Sequence, residues 1–466
     1  MGTLAVASCG TVSSVTESLF GAGDKPKEGT PGYVTGFLGA VVADEPRAAQ
    51  IGREVLSAGG TAGDAAVATA FALAVTLPSR AGIGAGGACL AYAADRKSLN
   101  AGVPEAILFV PLAAGGEGPQ TDRPAALPML ARGMFALHAR YGKRPFETLI
   151  SPAEQMARFG TPVSRALMRD FSLVSGPLLA DPNARAIFAH GGQPMQEGGA
   201  LIQSDLGATL SQLRSSGVGD LYQGSLARRL EEVAPRAGAA IALADLRGAL
   251  PQRAVPLTLR EGNDVIAFLP PPADGGLAAA ASFRVLQANQ ADVAGAEARA
   301  LAVAAAWRTG GSDPMALLTQ PVPSVAVPPL PASTSFATLD QDGNAVVCAL
   351  SMGNLFGTGR VAPTLGFLLA ASPRAVTPPL LSAALAYNER LHAFRAAVGG
   401  SGQEGAPGAA ALAMMNTLKT QTPMAAEVPE PGRANVIACG RYLPGTERSC
   451  GWATDPRGAG LAMGSN

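Results

Sequence analysis

The polar and apolar positions of this chain fall into blocks with different periods. From Ala43 to Val75 apolar residues recur at helical spacing on both sides of Gly59-Gly60, which predicts two helices, with Asp64 near the start of the second. GIGAGGACLAYA, Gly82 to Ala93, reads as a glycine-rich turn feeding an apolar strand. Helical spacing returns over Leu130 to Ser164 and again over Ser204 to Arg236. Val265 to Gly276 begins as a strand and ends in a Pro/Gly cluster that predicts a fixed loop. Gln320 to Ala332, QPVPSVAVPPLPA, has too many prolines for a helix or a central strand and is expected to be exposed and extended. Two strong strand patterns follow, STSFATLD and AVVCALSM, joined by a turn at Asp342-Gly343-Asn344.

Composition narrows the picture. Of 466 residues 48% are hydrophobic and only 15% charged, enough apolar material for a large core. Lys plus Arg and Asp plus Glu balance at 35 each, which gives no electrostatic reason for nucleic acid as a partner. No apolar run is long enough to span a bilayer. MGTLAVASCG places small and aliphatic residues before Cys9, the pattern of a bacterial lipid-attachment site, or else a tail with a chance cysteine. Residues 1–32 are accordingly expected to be a signal remnant or tether, rich in Gly, Ser, Thr, Lys and Pro. Cys439 and Cys450 flank a short polar loop and suit a disulfide, while Cys89 and Cys348 read as buried free thiols. These features lean towards an exported protein, periplasmic or anchored to the outer membrane.

The chemistry has to do without histidine. His138, His190 and His392 have no motif around them, GxSxG is absent, and no cysteine pair has zinc-ligand spacing, so neither a serine triad nor a metal or other cofactor is expected. A hydroxyl at a chain terminus has another route to activation: its own α-amine, titrating near 7.7–8.0, takes the hydroxyl proton. This requires a Ser, Thr or Cys at a strand start, behind a cleavable loop. Residues 320 to 359 provide both, with Ser333 at the junction.

STSFATLDQDGNAV and CALSMGNLFGTG, Ser333 to Gly359, resemble the start of the small subunit of γ-glutamyltransferases (glutathione hydrolases). GREVLSAGGTAGDAAVA, GIGAGGACL, ARYGKRPFETLISPAEQMARFGTPVS, LPPPADGG, VGGSG and the closing TDPRGAGLAMG resemble further segments of that family in the same order. The resemblance implies an αββα four-layer sandwich of the N-terminal-nucleophile hydrolase type. It also implies a zymogen that cuts itself before Ser333, giving a large fragment over 33–332 and a small one over 333–466. By the same resemblance Ser333 stands for the nucleophilic Thr, Ser351 for a Thr that supports it, and Gly399 and Gly400 for the oxyanion-hole pair.

The substrate-holding positions depart from the family pattern. The arginine that clamps a substrate carboxylate falls near Val103, an asparagine becomes Gly353 with Asn354 beside it, and an aspartate falls near Ala375. Of a serine pair only Ser382 remains, next to Leu381. Charge-assisted hydrogen bonds are worth about 1.5–3 kcal/mol each, so losing two or three weakens recognition by roughly 5 kcal/mol. Two readings follow. One is an amidohydrolase or acyltransferase acting on a small amide or peptide, γ-glutamyl by resemblance but with a neutral acyl group as the better physical fit. The other is a non-catalytic scaffold or binding protein on the same fold.

Overall fold

The computed structural model describes residues 36–465 except 95–100, 116–120, 311–312, 325 and 426–427. The expected tether and Cys9 lie outside these residues. The main strands are β1 (Gly39–Ala43), β2 (Gly86–Tyr92), β3 (Glu105–Phe109), β4 (Gln252–Ala254), β5 (Leu257–Glu261), β6 (Asp264–Phe268), β7 (Thr334–Asp340) and β8 (Ala345–Ser351). They continue as β9 (Ser382–Asn388), β10 (Ala393–Ser401), β11 (Arg433–Leu443), β12 (Cys450–Thr454) and β13 (Leu461–Ser465). One sheet has the order β4-β3-β2-β8-β7-β1-β13 and the other β5-β6-β9-β10-β11-β12. All their pairings are antiparallel.

Because successive strand residues face opposite sides, each sheet can feed two layers of core. In β1, Ala40 and Val42 join Leu90, Ala337 and Val347 against Leu385, Ala397 and Ile437 of the other sheet. Val41 and Ala43, with Phe336 and Val346, face outwards to helices α1 (Pro46–Ser57) and α2 (Ala62–Thr76). The second sheet's outer face, Phe268, Ala386, Val398 and Val436, is covered by α9 (Asp274–Ala288), α10 (Val293–Gly310) and α11 (Ala406–Thr420). Between these helix groups lie α3 (Leu130–Tyr141), α4 (Phe146–Phe159), α5 (Arg165–Leu178), α6 (Pro182–Phe188), α7 (Ser204–Ser216) and α8 (Ser225–Val233), all on the first sheet's side. The result is the αββα sandwich expected.

Local chemistry explains the boundaries. The pause at Gly59-Gly60 is followed by a capping box, in which Thr61 Oγ1 accepts from Asp64 N and Asp64 Oδ2 from Thr61 N. Asp64 also accepts from the backbone of Lys143 and Arg144, so it fixes the α3–α4 connection. Two expectations need correction. Cys89 and Cys348 are not free thiols: they oppose each other in the β2–β8 register and are disulfide-bonded, as Cys439 and Cys450 are. The fixed loop after β6 is shorter than expected, because Gly275 and Gly276 lie in the first turn of α9. A Cβ at Gly275 would lie 2.3 Å from the Leu380 carbonyl carbon, so this glycine allows the helix to approach the chain entering β9.

Candidate active site

The described residues of the segment 320–332 run over the surface until Leu330 and Pro331 enter the protein, and Ser333 follows just before β7. β7 lies inside the first sheet between β8 and β1, so the residue at its start is held on both sides. The Thr334–Leu350 pair is the last of the β7–β8 ladder, which sets Ser351 opposite Ser333. Ser351 Oγ donates to the carbonyl oxygen of Ala332 at 3.0 Å and accepts from Gly353 N at 3.0 Å. The carbonyl it holds belongs to the peptide bond between Ala332 and Ser333. A hydroxyl donor on that oxygen polarises the carbonyl and would stabilise the oxyanion formed by attack on it.

Below this point Asp44, which follows β1, gathers the start of β7 and the ends of the second sheet's strands. Its Oδ2 accepts from Thr334 Oγ1 (3.0 Å), Ser335 N (3.1 Å) and Ser401 Oγ (3.1 Å), and its Oδ1 from Asn435 Nδ2 (2.7 Å). Asn435 Nδ2 also donates to the Ser335 carbonyl, so the two sheets are tied together directly beneath Ser333. On another side Arg80 Nη1 donates to the Ser333 carbonyl at 3.3 Å. Arg80 is clamped by Asp170 through Nε and Nη2 at 2.7 and 2.6 Å, and Ser79 Oγ donates to the same carboxylate. Burial works against the charged guanidinium, but the adjoining Asp170 and the nearby Asp44 carry its pKa above the ordinary arginine value.

Two cavities meet here. One of about 600 Å³ is bordered by Leu330, Pro331 and Ala332 together with the Asn354–Arg360 loop, and another of about 230 Å³ by Asp44, Arg80, Asp170 and Ser401. Ala332, Leu355 and Gln403 line both and form the partition. Ser333 lines neither and is only 2% exposed.

The residues expected from sequence are thus partly brought together. Ser333 and Ser351 share one peptide bond, and Asn354 lines the larger cavity. Ser382 does not reach that cavity: it is buried and donates to the carbonyls of Leu380 and Gly275. Gly399 and Gly400 lie within β10, with register partners in both β9 and β11, so their backbone belongs to the ladder of the second sheet. What these glycines do is permit close approach: a Cβ at Gly399 would lie 2.7 Å from Ser335 Cβ, and one at Gly400 2.2 Å from Ala406 O. Val103 is 59% exposed and lines neither cavity. Asp44, Arg80, Asp170 and Asn435 escaped the sequence reading. The only local signal was a charge placed directly after an apolar strand, at Asp44. The larger cavity is also not neutral, since Arg123, Arg236 and Arg360 line it.

Comparison with known proteins bears on this geometry. The family model for gamma-glutamyltranspeptidase matches residues 48–321, ending short of Ser333. The glutathione hydrolase proenzyme of Escherichia coli strain K12 is 28% identical over 383 residues, covering 71% of this chain and 65% of that protein. The acylase ACY 1 proenzyme of Pseudomonas sp. strain V22 is 32% identical over 269 residues, 54% of this chain and 48% of that protein. The chain therefore spans less than two thirds of the length of either relative. Among solved structures, the cephalosporin acylase from Bacillus halodurans superposes with a TM-score of 0.73 at 19% identity, over 91% of this chain and 95% of that one, a likeness of fold.

Proposed function

The chain belongs to the gamma-glutamyltranspeptidase family, and from that premise we propose that it is a self-processing N-terminal-nucleophile amidohydrolase or acyltransferase with Ser333 as its nucleophile. The observation that carries this reading is the Ser351 hydroxyl on the Ala332 carbonyl, at the one peptide bond whose cleavage would free the Ser333 amine. In self-cleavage Ser333 Oγ attacks that carbonyl, a C–O bond forms and the C–N bond breaks, and the amide nitrogen leaves with the proton given up by the hydroxyl. Water then hydrolyses the ester to an Ala332 carboxylate.

In turnover the freed α-amine takes the Ser333 hydroxyl proton as Oγ attacks a substrate amide. The proton passes to the leaving amine, and the acyl group stays on Ser333 as an ester until water, or an acceptor amine, removes it. Such general-base assistance is worth about 10²–10⁴ in rate. Arg80 and Asp44 act as positioning groups: one holds the Ser333 carbonyl and the other the backbone and side chains of the two residues after it. The two disulfides favour an oxidising compartment outside the cytoplasm.

The test uses two variants. Ser333→Ala should accumulate as uncut precursor without amide turnover, and Ser333→Thr should still be cut. γ-Glutamyl-p-nitroanilide should be a poor substrate, because the family's clamp position holds Val103. Normal cleavage of Ser333→Ala would remove Ser333 from the mechanism. A wild-type chain that never cuts would make this protein a non-catalytic scaffold.

A further inference from the structure

Leu330 occupies a place that the cleavage chemistry does not explain. Among the described residues of 320–332 only Leu330 and Pro331 are buried. The leucine packs into a niche apart from the large cores, made by Ala278 of α9, Ala300 and Ala304 of α10, and Leu380 just before β9. Ala300 and Ala304 are four residues apart and so share one face of their helix, where small side chains leave room for the leucine. Leu330 is the one residue of this niche that also borders the larger cavity, so the niche adjoins the cavity through it.

Leu330, Pro331 and Ala332 are the acyl side of the bond that Ser333 attacks in its own chain, and all three border the larger cavity. A substrate that reaches Ser333 must displace Ala332, and the residues joined to it move as well. That uncovers the niche to water, and an apolar group entering from the cavity restores its burial. Leu330 lies two residues before Ala332, at most about 7 Å away along an extended chain, a span that an unbranched chain of about eight carbons covers with its end in the niche. Val174, Pro177, Leu178 and Leu355 give the intervening cavity an apolar wall. The guanidiniums that border it do not oppose such a chain: Arg123 and Arg236 are exposed, and Arg360 is paired with Asp122 at 2.7 Å. We propose that the niche vacated by Leu330 is the distal end of the acyl site, selecting amides of unbranched apolar acyl chains, with Ala300 and Ala304 as specificity-determining residues. This rests on the amidohydrolase reading above and agrees with the poor turnover expected of γ-glutamyl-p-nitroanilide.

The test compares kcat/KM of the processed enzyme for octanoyl- and butanoyl-p-nitroanilide. Burial of the extra methylenes should favour octanoyl by about ten- to a hundredfold. Ala300→Leu fills the niche and should bring the ratio towards one, and the milder Ala304→Val should lower it in the same direction. A wild-type ratio below about ten, or a ratio that neither variant lowers, overturns the proposal. The free peptide Val-Pro-Pro-Leu-Pro-Ala, residues 327–332, reads the same niche without altering the helices. It should inhibit octanoyl turnover competitively, and its Leu330→Ala form at least about tenfold more weakly; equal inhibition overturns the proposal. A protein that cuts itself before Ser333 and turns over neither anilide overturns it too. A chain that never cuts is instead a failure of the amidohydrolase reading, and calorimetry with octanamide on uncut Ser333→Ala protein then tests the niche alone. Octanamide should bind once Leu330→Ala is added, and at least about tenfold more weakly while Leu330 is in place. Equal affinities, or no binding to either protein, overturn the niche.

Discussion

At the scale of single residues, the proposed self-cleavage depends on which groups touch the Ala332–Ser333 peptide. Ser351 Oγ is a hydrogen-bond donor on the carbonyl that is attacked, and removing one such donor slows acyl transfer by about 10²–10³-fold. Ser351→Ala should therefore slow self-cleavage by about a hundredfold while Ser351→Thr stays near wild type, read from the time course of precursor loss. Arg80 has a structural consequence as well as a positional one. Its removal leaves Asp170, whose side chain is almost wholly buried, without its counter-charge, which typically costs about 3 kcal/mol. Urea unfolding of Arg80→Ala should show a loss of that order, and Arg80→Ala/Asp170→Ala should lose less than the two single changes added together. An additive double variant would mean that the pair is not coupled. Ser333, Ser351 and Asn354 were legible in the sequence because they lie inside one contiguous motif. Asp44, Arg80, Asp170 and Asn435 were not, because they come from four separate segments that only the fold brings together.

At the scale of elements, the turn between β7 and β8 shows how one polar residue fixes a hairpin. Asp340 accepts from Ala62 N, from Asn344 N and Nδ2, and from Asp342 N, so its carboxyl joins the turn to the start of α2. Burial, outweighing those bonds, pushes its pKa up to about 6 from 3.8. A carboxyl whose folded value lies above the unfolded one contributes stability when protonated. That contribution is complete below the unfolded value and is lost as pH rises through the folded one. Between about pH 4.5 and about pH 7.5 wild type should thus lose about 2 kcal/mol relative to Asp340→Asn, measured by urea unfolding at both pH values. A difference independent of pH would contradict this. The sequence predicted two helices on either side of Gly59-Gly60 and the hairpin after Ser333, because each has its own period or turn signal. It could not place Cys89 against Cys348, since their 259-residue separation is closed by the β2–β8 register. Nor could it show that Gly399 and Gly400 let Ser335 and α11 approach a paired strand.

At the scale of the whole molecule, the αββα sandwich is arranged so that a cut before Ser333 would leave the two parts of the chain held together. β7 and β8 of the part after residue 332 lie between β2 and β1 of the part before it, and the two parts share the cores on both faces of that sheet. Cys89 lies before the cleavage point and Cys348 after it, so the disulfide crosses from one fragment to the other. The most direct measurement is the intact mass of the purified protein, taken without and with reductant, followed by N-terminal sequencing of the reduced species. Self-cleavage before Ser333 predicts a non-reduced mass equal to the full chain plus one water. On reduction that species should separate into two fragments, the smaller beginning at Ser333. A single species after reduction, at the mass of the uncut chain, would contradict the claim that this protein makes its own nucleophile.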